Sequence, residues 1–413
     1  MRNKHLKFCR YDYGQFSSYF SYAAGSVVVP VALVAISQQL GFSLEKGGMT
    51  AGGALQVART ISMIFMMLVC GFLGGRFGKR VTLGYSVLAM GLGIGLCAIA
   101  PNYSILFIAI LIAGLGEGVI EGLATPFTQD LHLHEEPGRY IIVSHGFWSV
   151  GIFVTVLLTG WLMLIGVSWR YIIGGVAACG IITSMIFLLP ARKGHKHPEH
   201  KDIVKPKVII QQTKEIIRKP RFWIFFTAMF FAGGGEFCLT FWSASYIQIN
   251  LNSTVWAGGL GTAMFAFGMF ISRTSQGYLV RQKHINIVVL YVAILGVISS
   301  IFLQHTMNLT LFFIILTICG IATGPLWPSI QSYAADCLNE TDSTMVFILL
   351  SCAGVPGCGV FTLTMGIIGD NYGLDKALVL IPICFSVIAL IFIIDFQMQK
   401  RKNSFLKLKK TNP

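Results

Sequence analysis

A chain of 413 residues that is 54% hydrophobic and only 12% charged lacks the polar surface of a set of soluble domains, which average about 25% charge. The net charge of +14 comes without an aromatic-interleaved basic surface, so nucleic-acid binding is set aside. Strand-type alternation and long polar stretches are also missing, which excludes a closed membrane barrel and an enzyme with a large soluble catalytic domain.

The apolar residues fall in blocks of about twenty, enough to cross roughly 30 Å of hydrocarbon as a helix. Twelve spans are predicted, over 14–37, 50–73, 81–100, 104–127, 140–164, 169–189, 221–248, 255–278, 286–304, 310–335, 343–369 and 375–397. With the N-terminus inside, the outer loops hold only Lys46, Arg170 and Lys376 among the basic residues. Arg59 and Arg273 lie within spans, and every other Lys and Arg falls on the inner side. This asymmetry puts both termini in the cytoplasm, with a bacterial inner membrane as the expected location. The basic flank Arg2, Lys4, Lys7 and Arg10 precedes an apolar run too long for a signal peptide, so that run is read as the first span.

Residues 190–220 form a long, basic, Pro-punctuated linker that divides the spans six and six. The expected architecture is an all-α polytopic membrane protein whose twelve transmembrane helices form two pseudo-symmetric six-helix bundles. The N-terminal bundle takes in 1–189, and the C-terminal bundle with its basic tail 221–413. Val208, Ile209, Ile216 and Ile217 recur at helical spacing in the linker, which predicts an amphipathic helix on the cytoplasmic membrane surface. His195, His197 and His200 read as a solvated loop rather than a metal tract. Ten cysteines are scattered singly without a CxxC, so no disulfide, metal or cofactor is expected. Trp161, Trp169, Trp223 and Trp256 fall near span ends and read as interface anchors.

The informative residues are ionisable groups at membrane depth: Arg59 in span 2, Glu117 and Glu121 in span 4, His145 in span 5, Glu236 in span 7 and Arg273 near the inner end of span 8. A central charge costs about 2.5–3.5 kcal/mol to insert. Arg59 and the three Glu would together cost roughly 10–14 kcal/mol unpaired, against net stabilities of about 5–15 kcal/mol. They must be paired, hydrated or protonated inside the bundle. Glu117 and Glu121 share a helix face, and depth suits Glu117 as the partner of Arg59 and puts Glu121 level with His145 on the next span. Arg273 is expected to snorkel inward to the cytoplasmic surface. His145 reads equally as a proton relay or a packed histidine. Three acids against at most two arginines leave at least one acid without a fixed cation, free to exchange a proton with cavity water. The aromatic residues Trp148, Phe241, Trp242 and Trp327 lie at similar depth. Small-residue clusters such as FAGGGEF, and those beside proline in TGPLWPS and AGVPGCG, mark helices able to pack closely and bend.

Residues Gly71-Phe-Leu-Gly-Gly-Arg76-Phe-Gly78-Lys79-Arg80 after span 2 resemble the first cytoplasmic-loop motif of the major facilitator superfamily, with Gly75 where that motif has an acid. A weaker copy, Gly277 to Arg281, follows span 8, and Trp169-Arg170 is similar to the family's Gly-Trp-Arg turn. Glu121-Gly-Leu-Ala-Thr125-Pro126-Phe127 resembles the Glu-x-x-x-Asn-Pro-Phe of the fucose permease group, with Thr125 for the Asn. Glu236 with Trp242 and Tyr246, and the Gly324, Pro325, Pro328 pattern, fit the same branch. His145 and Trp148 stand where the sugar carriers have amides, and span 1 lacks their acid.

The resemblance implies the major facilitator fold and a secondary active transporter working by alternating access. The expected activity is proton-coupled uptake of a small polar organic solute, a sugar or sugar derivative among the options, by a monomer. Proton coupling is expected at Glu121, Glu117, Arg59 and His145, and the substrate cavity at Glu236, Trp242, Trp148, Trp327 and Thr125. An exporter of drugs or cationic metabolites by proton antiport is the alternative, and a non-transporting sensor a further one.

Overall fold

The computed structural model describes residues 6–132, 137–189, 206–280, 282–338, 341 and 343–411. The helices of the first half are α1 (Arg10–Gln39), α2 (Met49–Phe77), α3 (Lys79–Ile99), α4 (Tyr103–Leu131), α5 (Pro137–Leu164) and α6 (Trp169–Leu188). A short helix α7 (Pro206–Ile217) follows. The second half contains α8 (Pro220–Ile249), α9 (Val255–Leu279), α10 (Ile285–Gln304), α11 (Leu309–Thr323), α12 (Leu326–Cys337), α13 (Ser343–Tyr372), α14 (Leu374–Ala377) and α15 (Leu380–Thr411). Among the described residues twelve stretches are long and apolar enough to cross a membrane, and they form two pseudo-symmetric six-helix bundles.

The span predicted at 310–335 is two helices, α11 and α12, broken at Gly324-Pro325. The linker histidines lie outside the described residues. The amphipathic segment is realised as α7, which turns Ile216 into the protein while Val208, Ile210 and Ile217 stay exposed. An even number of spans brings both chain ends to one face, called here the termini face.

Helix starts at the opposite face explain themselves locally. Asn102, Ser168, Thr254 and Asn308 cap α4, α6, α9 and α11 with their own side chains, satisfying backbone donors that have no partner within the helix. Helix α2 is preceded by Gly48, which has no side chain to offer. Its first donors are met from the other bundle: Asp370 on α13 accepts from the Met49 amide at 2.8 Å and the Thr50 amide at 2.7 Å.

The bundles approach closely at this face. A Cβ placed on Gly53 would lie 2.8 Å from the Leu363 Cα and the Thr362 carbonyl, and one on Gly366 would meet the Met49 carbonyl. Small residues permit that backbone contact.

At the termini face each bundle holds buried ions of its own. Asp12 on α1 meets His132 at 2.7 Å. Asp395 on α15 accepts from Arg221 at 2.8 Å and from the Tyr333 hydroxyl at 2.5 Å. Two of the four expected interface tryptophans, Trp161 and Trp223, are about half exposed. Trp169 departs from that reading: it is buried and donates its indole N–H to Gln39 at 2.7 Å, tying α6 to α1.

Candidate substrate and proton site

Between the bundles lies a cavity whose empty space, open solvent included, is about 640 Å³. Tyr19 and Tyr22 of α1, Gln56 and Arg59 of α2, Glu121 of α4, and His145 and Trp148 of α5 line it on one side. Glu236 of α8, Arg273 of α9 and Trp327 of α12 line it on the other.

The deep charges sort into two pairs and one remainder. Arg59 Nη1 donates to Glu117 Oε1 at 2.7 Å and to Ser26 at 3.3 Å, while Nη2 donates to the Gly25 carbonyl at 3.0 Å. The two side chains are 3% and 0% exposed, and Glu117 Oε2 is buried with no hydrogen-bond partner. Glu117 therefore sits behind Arg59, sealed from the cavity.

In the other bundle Arg273 Nη2 reaches both Glu236 oxygens, at 3.4 and 3.2 Å. Arg273 Nε donates to the Gly324 carbonyl at 2.8 Å. In a continuous helix that carbonyl would accept from residue 328, but Pro328 has no N–H, so the acceptor is free. The expectation that Arg273 snorkels is thus corrected: an open carbonyl and a carboxylate draw it inward.

Glu121 is the remainder. Its Oε1 accepts from the Ser351 hydroxyl across the bundle interface at 3.2 Å, and among the described residues no cation lies within ion-pair distance of it. His145 Nε2 lies 3.0 Å from both the Tyr19 hydroxyl and Thr125 Oγ1, which makes a closed polar triangle against the cavity wall. Thr125 touches the lining residues Tyr19 and His145 and is not itself among the residues that line the cavity.

One further expectation changes. Trp242 is not at the cavity; it is fully buried and donates its indole N–H to the Thr362 carbonyl at 3.0 Å, joining α8 to α13. Trp148 and Trp327 do line the cavity, Trp148 with its ring 4.5 Å from that of Tyr22.

Tyr19, Tyr22, Gln56 and Ser351 are not singled out by the sequence. A signal for the α1 residues exists: Gln15, Tyr19, Tyr22 and Ser26 recur at helical spacing along one face of the span. Gln15 uses it to reach the Ala124 carbonyl at 2.7 Å.

The loop motif is a clasp within one bundle. Gly78, with φ of 87°, makes the turn that a side chain would strain. Lys79 then pairs with Asp130 at the end of α4 at 2.7 Å, and Arg80 donates to the Phe187 carbonyl on α6. Arg76 is exposed and its guanidinium lies over Phe77; around Gly71 there is open space.

Two bundles of six spans around a central charged cavity define a membrane carrier rather than an enzyme. Residues 15–358 match the Major Facilitator Superfamily model, and the chain belongs to that superfamily of transporters. A stretch of 124 residues, 29% of this chain, is 30% identical to the niacin transporter of Acinetobacter baylyi. A stretch of 138 residues, 33% of this chain, is 28% identical to a putative metabolite transport protein of Haemophilus influenzae. These matches take in only 28% and 32% of the relatives' own lengths.

Among solved structures, an inward-facing bacterial homologue of the human lysosomal transporter Spinster aligns over 94% of this chain and 97% of its own, with a TM-score of 0.72 and 16% identity. The E. coli fucose:proton symporter aligns over 93% of this chain and 98% of its own, with a TM-score of 0.65 and 17% identity. At these identities the likeness establishes the fold.

Proposed function

We propose that this transporter takes up a small polar organic solute together with a proton, and that Glu121 is the group whose protonation is coupled to movement of the bundles. The observation that carries the reading is the pairing of the deep acids: Glu117 and Glu236 each meet an arginine, and among the described residues Glu121 meets only the Ser351 hydroxyl. A carboxyl that borders a water-accessible cavity without a fixed counter-ion can take up and release a proton as its surroundings change.

The Ser351 contact gives that proton a mechanical consequence, because it links α4 to α13 across the bundle interface. His145, Trp148, Glu236 and Trp327 supply the solute side, with indole faces for apolar C–H surface and polar groups for hydroxyl or amide recognition. The fold shared with a fucose:proton symporter and the stretch shared with a niacin transporter both favour a small metabolite. A sugar or sugar derivative fits the ring faces. On the sequence-based orientation, uptake runs from the face opposite the termini.

The test is Glu121→Gln in proteoliposomes, with the solute found by a thermal-shift screen at two pH values. Proton-driven accumulation should vanish while solute exchange persists. Uphill accumulation at the wild-type rate would remove Glu121 from coupling. Among the described residues the deep charge without an ionic partner is an acid, which also suits a cationic solute exported against protons; a proton gradient that drives efflux instead of accumulation would decide for that reading.

A further inference from the structure

We propose that Asp370 is a positioning residue of the transport cycle: by capping α2 from the opposite bundle, it holds the outer gate closed. Four helices that start at the face opposite the termini bring their own caps, whereas α2 starts after Gly48 and has none. Its first two backbone donors, Met49 and Thr50, both bond to the Asp370 carboxylate at 2.8 and 2.7 Å, and Asp370 is 320 residues away in the other bundle.

An anion at a helix N-terminus gains from the backbone donors and from the helix dipole together. A cap belonging to the same helix would survive any movement of the bundles. This one exists only while they touch, so its free energy is assigned entirely to the closed outer gate. When the gate opens, two backbone donors and a carboxylate must be rehydrated.

The surrounding packing has the same character. Gly53 lies against Leu363 and Thr362, and Gly366 against Met49, so the closed gate seats α2 on α13 backbone to backbone beside the Asp370 contact. Separation at this face therefore requires that the two Asp370 hydrogen bonds break.

The inference rests on carriage by alternating access, but its readout requires neither a known solute nor proton coupling. Cys358 lines the central cavity and is a native thiol. A membrane-impermeant maleimide is applied to right-side-out and to inside-out vesicles containing the full chain, and modification of Cys358 is followed by mass spectrometry, with Cys358→Ser as the blank. Asp370→Ala should label about tenfold faster than wild type from the outside and more slowly from the inside, a tenfold change corresponding to about 1.4 kcal/mol. Asp370→Asn, which keeps one acceptor oxygen without the charge, should fall between the two.

Unchanged labelling from the outside would overturn the proposal. Faster labelling from both sides would also overturn it, since that marks a loosened protein rather than a displaced equilibrium. If the alanine variant does not fold, the asparagine variant is read by the same two criteria. A Glu121→Gln protein that fails to couple protons yet labels as wild type would support the coupling proposal and leave the gate proposal to stand or fall on Asp370 alone.

Discussion

Each bundle holds one arginine–glutamate pair at depth, and the two are built differently. Arg59 and Glu117 are 2.7 Å apart, almost fully enclosed, and fixed further by Ser26 and the Gly25 carbonyl. Arg273 and Glu236 are 3.2 Å apart, the arginine 16% exposed, with one arm on a carbonyl that Pro328 leaves open. The first is a clasp that holds α1, α2 and α4 together. The second has slack and faces the cavity, where a solute can compete for its donors. A buried ion pair is thus not a single kind of object: in one pair only the arginine reaches the cavity wall, and in the other both members do.

The largest test of that contrast is Arg59→Ala. It leaves Glu117 buried without its cation and should cost about 3–5 kcal/mol, seen as a collapse in the amount of folded protein and in its melting temperature. Replacing both members with apolar residues, as Arg59→Met with Glu117→Leu, should recover most of that loss. A wild-type melting temperature for Arg59→Ala would erase the distinction between the pairs.

Arg273→Gln should be milder for stability, about 1–3 kcal/mol, because water reaches the site. Its main effect should be on function: loss of the solute-induced thermal shift. Retention of that shift at full size would place Arg273 outside recognition.

Gly366→Ala extends the contrast to the outer gate. Its new methyl meets the Met49 carbonyl, so α2 and α13 should separate and Cys358 should label severalfold faster from the outside. Gly174→Ala, where there is open space, is the matched control and should change nothing. The smallest effect is expected of Trp242→Phe, which removes the hydrogen bond to Thr362 at a cost of about 1 kcal/mol. Solute affinity should stay within twofold of wild type, and a tenfold loss would return Trp242 to the binding site.

Several of these features are legible from the chain alone, and others are hidden for identifiable reasons. Arg59 and Glu117 can be matched because helical rise converts distance from a span end into depth, and both lie deep. The same arithmetic misplaces Arg273, because depth near a membrane surface says nothing about the open Gly324 carbonyl beside it. Trp242 has the right depth for the cavity and the wrong azimuth. Thr125 belongs to the span 4 motif, yet it bonds to His145 and Tyr19 and does not line the cavity itself. Gly75 marks a missing acid in the loop motif, and that loop is held within its bundle by Lys79 and Arg80 instead. The Asp370 cap has no signal that a single chain could give, since Gly48 and Asp370 become related only when α2 meets α13.

Hydropathy alone sets twelve spans, hence chain ends at a common face, and three deep acids facing two deep arginines guarantee that one acid is left over. Which acid it is, and which bundle contacts feel it, belongs to the packed molecule. The cause is geometric. Composition and rise fix how deep a side chain lies, but its partner depends on rotation about the helix axis and on the neighbouring helix, and both are set by packing across the whole bundle.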